Sequence, residues 1–220
     1  LKRIIMNRKV DGVILLRTFV NDPQVEFLIE KDIPFVAAGS SEYEKVKQVD
    51  HDHETACKEL TSIILMRGLK NIAILGGNES FVVNQTRLRG VRDAYEQFGI
   101  KLEPGSLFMN LESKPFIEKA VDDALAQEAE CILCMDDAIC SQVLRKLRQD
   151  HVKIPDDVRI ASFYNSSVLE NNIPSITSLS FDAKELGMTA CKNLLSQVDG
   201  EEVPDKVLLS YEVVLKESTK

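Results

Sequence analysis

The chain alternates between short apolar runs of strand length and longer segments whose apolar residues recur at helical spacing. The continuous apolar runs predict strands over 11–16, 34–38, 71–75, 107–111, 130–135, 158–163 and 207–215. Spacings of three and four residues predict helices over 22–31, 54–67, 84–98, 113–128, 137–149 and 183–198. The helix over 113–128 is expected to bury Phe116, Ala120 and Ala124 on one stripe. Uniformly apolar strands between amphipathic helices predict an α/β protein with doubly wound parallel sheets flanked by helices.

Composition and charge narrow the class of function. The 220 residues are 44% hydrophobic and carry 27 Lys and Arg against 35 Asp and Glu, a net charge of −8. Because a phosphate backbone requires a cationic surface, the chain is not expected to bind DNA or RNA by itself. The five Cys are an odd number at scattered positions, which suits a reducing compartment better than a disulfide scaffold. With no long apolar run and no leader pattern, we expect a cytoplasmic protein without membrane contact.

Motifs for phosphate, metal and hydrolytic chemistry are weak. Gly76-Gly77-Asn78 follows a predicted strand, but its glycines do not fit the dinucleotide or P-loop spacing, so a tight turn is expected. Asp50-His51-Asp52-His53 offers four ligand groups, yet an extended segment points alternate side chains apart. Cys131 and Cys134 lie inside an apolar strand, where cysteine packs as a small hydrophobic residue. We therefore expect no metal, no cofactor and no catalytic residues.

The candidate ligand contacts follow the carboxyl ends of predicted strands, where open α/β sheets bind ligands. Arg87 lies in the first turns of the helix after the Gly-Gly turn, and is expected to be exposed and to donate to hydroxyls or a carboxylate. Arg89 and Arg92 are expected on a solvated helix face. Asp136 and Asp137 fit paired carboxylates for acid–base work, but Asp137 equally fits a helix cap and Asp136 a ligand contact.

Short motifs follow one another over nearly the whole chain: Val10-Asp-Gly-Val-Ile14, Ile33-Pro-Phe-Val36, Val49-Asp-His-Asp52, Gly68-Leu-Lys-Asn-Ile-Ala-Ile74, Arg87-Leu-Arg-Gly90, Met135-Asp-Asp-Ala138, Ile154-Pro-Asp-Asp-Val-Arg-Ile-Ala-Ser-Phe163, Pro174-Ser-Ile-Thr-Ser178 and Leu215-Lys-Glu-Ser-Thr219. In their order and spacing they resemble the effector-binding core of the lactose/galactose repressor (LacI/GalR) family of bacterial transcription regulators. The most specific of them is the long motif that begins at Ile154.

The resemblance implies a two-lobe fold like that of periplasmic binding proteins, in which each lobe is a doubly wound parallel sheet flanked by helices. Residues 1–50 and 180–205 would form the N-terminal lobe, and residues 51–179 and 206–220 the C-terminal lobe. The helix-turn-helix headpiece and the first strand and helix of the N-terminal lobe would be absent. This absence would explain why the acidic chain shows no DNA-binding stripe.

The resemblance also implies site residues. Arg87 matches the family arginine that contacts the effector, Asp136 stands where a ligand-contacting Asn is usual, and Asp137 matches the Asp beside it. Tyr164 replaces the family carboxylate that holds sugar hydroxyls, and Phe181 begins a segment that often offers Gln and an aromatic residue. Arg87, Asp136 and Tyr164 are expected to converge on one cleft. They would suit a polyhydroxylated or amino-bearing metabolite, such as a modified sugar or nucleoside.

The implied function is the effector-binding and dimerisation domain of a LacI-type regulator, which senses a small sugar-like metabolite and alters operator binding without catalysis. Two headpieces on two half-sites imply a homodimer, with operator contacts made by the headpieces rather than by this chain. The alternative is a solute-binding protein of a transport system, which shares the two-lobe fold. A third hypothesis is an α/β enzyme that uses Asp136 or Asp137. An upstream leader would favour transport, and an upstream helix-turn-helix the regulator.

Overall fold

The computed structural model describes residues 1–7 and 9–220, which divide into two compact units. The first unit comprises Leu1–Asp52, Ser80–Val83 and Asp182–Ser210. The second comprises His53–Glu79, Asn84–Phe181 and Tyr211–Lys220. Within the described residues, no helix is both long enough and apolar enough to cross a bilayer.

Strands and helices alternate along most of the chain. The strands are β1 (Val13–Leu15), β2 (Phe35–Ala38), β3 (Lys47–His51), β4 (Ile72–Leu75), β5 (Leu107–Phe108), β6 (Cys131–Cys134), β7 (Arg159–Ser162), β8 (Thr177–Ser180), β9 (Lys206–Leu209) and β10 (Glu212–Val214). The α-helices are α1 (Lys2–Met6), α2 (Pro23–Glu30), α3 (His53–Met66), α4 (Val82–Gln97), α5 (Lys114–Ala126), α6 (Asp137–Gln149), α7 (Ser167–Glu170) and α8 (Ala183–Val198). Two short 3-10 helices cover Pro104–Ser106 and Glu217–Thr219.

The first unit is a parallel sheet in the order β1-β2-β3-β9 with helices on both faces. On one face α2 contributes Val25 and Leu28, both fully buried, to a core shared with strand residues. Helix α2 begins where Asp22 accepts hydrogen bonds from the backbone N–H groups of Gln24 (2.8 Å) and Val25 (3.4 Å). On the other face α8 buries Ala190 against β2 and β3.

The second unit is a larger sheet in the order β10-β8-β7-β6-β4-β5, parallel except for β10. Strands β4 and β6 are buried along their whole length. Side chains alternate between the faces, so that Ile132 packs in the core beneath α5 and α6 while Leu133 packs in the core beneath α3 and α4. Both units therefore have parallel strands covered by helices, and the predicted α/β class is confirmed.

Near the end of the chain, the structure differs from the predicted strand and from the predicted lobe boundary. The single strand predicted over 207–215 is two strands: β9 pairs with β3 in the first unit, and β10 pairs with β8 in the second. The division between units therefore falls after Ser210, not at residue 206. Ser80–Val83 also lies in the first unit, whereas the sequence placed it in the second lobe. These assignments depend on pairing between segments far apart in sequence.

Two strands and one helix face also differ from the predictions. Strands β3 and β8 were not predicted, because Lys47–His51 and Thr177–Ser180 are rich in polar residues. In α5 the predicted residues Ala120 and Ala124 are buried, but Phe116 is 62% exposed and its neighbour Ile117 is buried instead, so the predicted stripe is wrong at its first residue. A shift of one residue turns a helical side chain by about 100°, which is enough to move it from core to solvent.

Candidate functional site

The candidate site lies at the carboxyl edge of the sheet in the second unit. The residues that follow four neighbouring strands are Gly76 after β4, Asp136 after β6, Tyr164 after β7 and Phe181 after β8. Parallel strands bring their carboxyl ends to one edge, and ligands of open α/β sheets bind there. The order of the sheet thus gathers the sequence-predicted residues on one side of the second unit.

Arg87 is buried, with only 7% of its surface exposed, which contradicts the expectation of an exposed arginine. It projects from α4, and its Nη1 donates a hydrogen bond of 2.6 Å to the backbone carbonyl of Met135. Among the described residues its Nε has no hydrogen-bond acceptor. Since buried polar groups in native proteins are almost always paired, this donor points to an acceptor outside the chain.

Asp136 caps the helix that follows it. Its Oδ1 accepts a hydrogen bond of 2.8 Å from the backbone N–H of Ile139, so Asp136, and not Asp137, is the N-cap of α6. A Cβ built on Gly77 would lie 4.0 Å from Oδ2 of Asp136, so this second oxygen is close to the segment after β4. Asp137 is the first residue of α6, and its backbone carbonyl accepts from Ser141 Oγ at 2.7 Å.

Three rings stand together at the ends of β7 and β8. Tyr164 and Phe181 are stacked, with centroids 6.1 Å apart and planes 25° apart. His53, the first residue of α3, meets Phe181 edge-on at 4.6 Å. Sequence reasoning weighed His53 only as a metal ligand and missed this contact. The one sequence signal was its position directly before the helix predicted over 54–67.

Gly76 and Gly77 do not form the predicted tight turn: the Gly76 N–H donates to the Phe108 carbonyl at 2.8 Å next to β5, and the turn comes later, at Glu79 and Ser80. A Cβ on Gly76 would lie 2.6 Å from Met135 Sδ and 2.7 Å from Met109 Sδ, so only glycine fits without a shift. Asn84, buried on α4, donates from Nδ2 to the carbonyl of Asn78 at 2.8 Å and holds the residue just before that turn. Asn84 is a further residue that the sequence did not single out as part of this edge.

Burial is the main cause of the shifted pKa values of two cysteines and of His51. Burial raises the pKa of Cys131 to about 12 and the pKa of Cys134 well above its usual value, which keeps both thiols neutral. Asp50 accepts hydrogen bonds from Ser40 Oγ (2.8 Å) and from the backbone N–H of His51 (2.9 Å) in the first unit. Burial lowers the pKa of His51, against the opposing effect of Asp50.

The predicted site residues fall into two groups at this edge: Arg87 with Asp136, and Tyr164 with Phe181. Arg87 is hydrogen-bonded to the residue that precedes Asp136, and Tyr164 is stacked on Phe181. One edge of the second unit offers a guanidinium donor, a carboxylate acceptor and two aromatic faces. Such a set can bind a polar molecule that also has a flat or apolar face.

The chain is similar to known proteins over most of its length. The family model described as "periplasmic binding protein-like domain" matches residues 63–219. Catabolite control protein A of Staphylococcus xylosus is 23% identical over 218 residues, which are 98% of this chain and 66% of that protein. The chain therefore spans about two thirds of the length of this curated relative.

Solved structures extend the comparison. The crystal structure of a transcriptional regulator LacI from Bacillus cereus subsp. cytotoxis has a TM-score of 0.93 and 27% identity, over 99% of this chain and 79% of that chain. A transcriptional regulator CelR–cellobiose complex has a TM-score of 0.89 and 25% identity, over 98% of this chain and 68% of that chain. These matches confirm the resemblance that the sequence motifs predicted.

Proposed function

Because the chain belongs to the periplasmic binding protein-like domain family, with LacI-type regulators among its relatives, we propose that it is the effector-binding domain of a bacterial transcription regulator. In this proposal a small sugar-like metabolite binds at the carboxyl edge of the second unit and changes how the whole protein binds operator DNA. The observation that carries the proposal is the buried, unpaired Nε of Arg87 beside the Asp136 cap. The relatives named above are regulators, which favours this function over transport and over catalysis.

The chemistry of the edge defines the effector. Arg87 Nε donates to a hydroxyl or carboxylate oxygen, and the Asp136 carboxylate accepts from hydroxyl or amine groups. Tyr164 and Phe181 offer ring faces to the apolar side of a sugar or to a planar base. Cellobiose, which the CelR structure contains, has both hydroxyls and apolar ring faces and is the first probe to use. Asp137 is assigned a supporting place next to Asp136 rather than a separate contact.

Thermal denaturation with a ligand panel tests the site. The panel consists of cellobiose, glucose, glucosamine and adenosine, and a ligand that binds the native chain raises the melting temperature. The Arg87→Ala variant is expected to lose the stabilisation by whichever ligand acts on the parent. Arg89→Ala is the matched control, because Arg89 lies on the exposed face of the same helix in an ion pair with Glu54 at 2.9 Å. Equal ligand response in both variants would contradict the assignment.

Arg87 also contributes to folding, so its effect on stability must be measured separately from its effect on ligand affinity. Its loss leaves the Met135 carbonyl without a donor, and we expect the unliganded chain to lose about 1–3 kcal/mol of unfolding free energy. Isothermal titration at a temperature where Arg87→Ala is fully folded then measures affinity independently of stability. Asp136→Asn, which keeps a capping oxygen but removes the charge, is a second variant that weakens binding without unfolding α6.

We also propose that the chain works as a cytoplasmic homodimer, as two-fold operator recognition requires. A cavity of about 430 Å³ runs along edge strand β5 and is bordered by the 62% exposed Phe116. An aromatic residue exposed beside a groove is typical of a protein interface. Sedimentation of Phe116→Ser should show at least about a tenfold weaker dimer. Met66→Ser, with Met66 65% exposed at the end of α3, should sediment like the parent.

Operator DNA is bound in this proposal by a part of the protein outside these 220 residues. The chain has a net charge of −8, so the counterion release that drives DNA binding is missing. A gel shift with the isolated chain is expected to show no retarded band at micromolar concentration. A salt-sensitive shift below micromolar concentration would contradict this division of labour.

A further inference from the structure

A second cavity lies wholly within the first unit, at the amino ends of its strands. It has a volume of about 540 Å³ and opens between the start of β2, the start of β3 and the last turns of α2 and α8. The volume is within the range of about 300–1,000 Å³ that is usual for small-molecule sites. We call this cavity the amino-end pocket and define it by Ile33, Phe35, Lys45, Lys47 and Gln197, which line it.

The face of α8 that covers the sheet becomes polar towards this pocket. Leu186 and Ala190 pack on the strands, and the same stripe continues one and two turns later with Asn193 and Gln197. Asn193 is 8% exposed, and within the described residues neither its Nδ2 nor the buried Nε2 of Gln197 has an acceptor. Leucine at these positions would have continued the apolar stripe. Two consecutive unpaired amide donors instead point to an acceptor that the chain does not supply.

The charges around the pocket define that acceptor. Lys47 is held by Asp205 at 2.7 Å and by the carbonyl of Val203 at 3.0 Å. Lys45, by contrast, has no carboxylate within 4.0 Å among residues 1–7 and 9–220. Two carboxylates, Asp32 and Glu201, also line the pocket and oppose a highly charged ligand. A ligand with a single negative charge can contact Lys45 and the Gln197 amide without strong repulsion from these carboxylates.

We propose that the amino-end pocket binds a small monocarboxylate with an apolar body. The carboxylate accepts from Gln197 Nε2 and from the Lys45 ammonium group, and the apolar body lies against Leu28, Ile33 and Phe35. This site is separate from the proposed effector site at the carboxyl edge of the second unit, since all residues of the pocket belong to the first unit. The amino-end pocket is formed at the amino ends of its strands, whereas the proposed effector site is at the carboxyl ends of the strands of the other sheet.

Nuclear magnetic resonance of the ¹⁵N-labelled chain tests the pocket directly. Benzoate is the probe, benzyl alcohol is its uncharged counterpart, and inorganic phosphate tests whether charge alone is enough. Benzoate is expected to shift the side-chain amide signals of Gln197 saturably, with a Kd on the order of millimolar. Benzyl alcohol and phosphate are expected to leave them unchanged at the same concentrations. A response to phosphate as strong as that to benzoate, or no saturable response to benzoate, would overturn the proposal.

Three variants separate binding from folding. Gln197→Leu is expected to lose benzoate binding while melting no lower than the parent, because it removes an unpaired buried amide and extends the apolar stripe. Lys45→Gln, an exposed position, is expected to weaken binding about tenfold and to fold normally. Lys192→Gln is the control, since Lys192 is exposed on α8 away from the pocket and should bind benzoate like the parent. Unchanged affinity in Gln197→Leu or Lys45→Gln would refute the assignment.

Discussion

Asp136 caps a helix, and in the proposed function the same side chain also contacts the effector. Its Oδ1 is committed to the backbone N–H of Ile139, which fixes the direction of the carboxyl group. Its Oδ2 is thereby held near Gly77, at the edge where Arg87 lies buried. In the proposed function, the cap therefore orients the acceptor before any ligand binds, which would lower the entropy cost of binding.

The contribution of this cap to the free energy of unfolding should be measurable. Asp136→Ala is expected to lower the free energy of unfolding by about 1 kcal/mol, because one N–H at the start of α6 loses its acceptor. Asp136→Asn should cost much less, since asparagine caps almost as well. Urea denaturation checks both. Asp137→Ala is the control and should cost only a few tenths of a kcal/mol, from the lost interaction with the helix dipole. A larger cost for Asp137→Ala would contradict the capping assignment.

His51 should make the stability of the chain depend on pH. Burial lowers the pKa of His51 in the folded chain below its ordinary value of 6.5. As the pH falls through 6.5, the unfolded chain takes up a proton before the folded chain does, so the free energy of unfolding decreases. The loss stops once the pH is below the folded pKa. Above pH 6.5 the contribution of His51 is fully present.

Urea denaturation between about pH 8 and pH 5 measures this dependence. His51→Gln is expected to flatten the decline, because glutamine does not titrate. His151→Gln is the matched control, since His151 is exposed and its replacement should leave the decline unchanged. An identical decline in His51→Gln and the parent would show that other groups cause it.

At the scale of elements, the packing of α4 on α3 depends on Gly90. A Cβ at this position would lie 2.3 Å from the backbone carbonyl of Glu54 and 3.0 Å from the backbone nitrogen of Lys58. Since both neighbours are backbone atoms, a side-chain rotation cannot relieve the contact. The glycine therefore allows the two helices to approach closely, which in turn sets the position of Arg87 one turn earlier on α4.

Gly90→Ala is expected to destabilise the chain by about 1–3 kcal/mol, the usual cost of overpacking. Gly187→Ala is the matched control. Gly187 is also in a helix, but a Cβ there has nothing within 4 Å, so alanine should stabilise the chain by about 0.5–1 kcal/mol. Urea denaturation of the two variants should therefore give shifts of opposite sign. Shifts of the same sign would contradict the close approach of α3 and α4.

At the scale of the whole molecule, the cores leave one cysteine accessible. Cys57, Cys131, Cys134 and Cys140 are fully buried, whereas Cys191 is exposed on α8. A thiol-specific colorimetric reagent should modify one thiol of the native chain rapidly and the other four only at the rate of unfolding. Cys191→Ser should remove the rapid phase. Rapid modification of a second thiol in that variant would show that one of the cores opens easily.

The sequence by itself determined the α/β class, the six longer helices and the apolar strands. The helices follow from apolar residues at a period of 3.6, and the strands follow from short continuous apolar runs, because strands covered on both faces are apolar throughout. It also placed Arg87, Asp136 and Tyr164 after predicted strands. These predictions need only the residue and its near neighbours.

The tertiary structure decided what depends on distant partners. It divided residues 206–214 between two sheets, because pairing with β3 and with β8 is not encoded in the strand itself. It buried Arg87, since the carbonyl that accepts its hydrogen bond belongs to Met135, which directly follows β6 and lies 48 residues later in the chain. Burial, pairing and unpaired donors are properties of contacts between segments, and local periodicity carries no information about which segments meet.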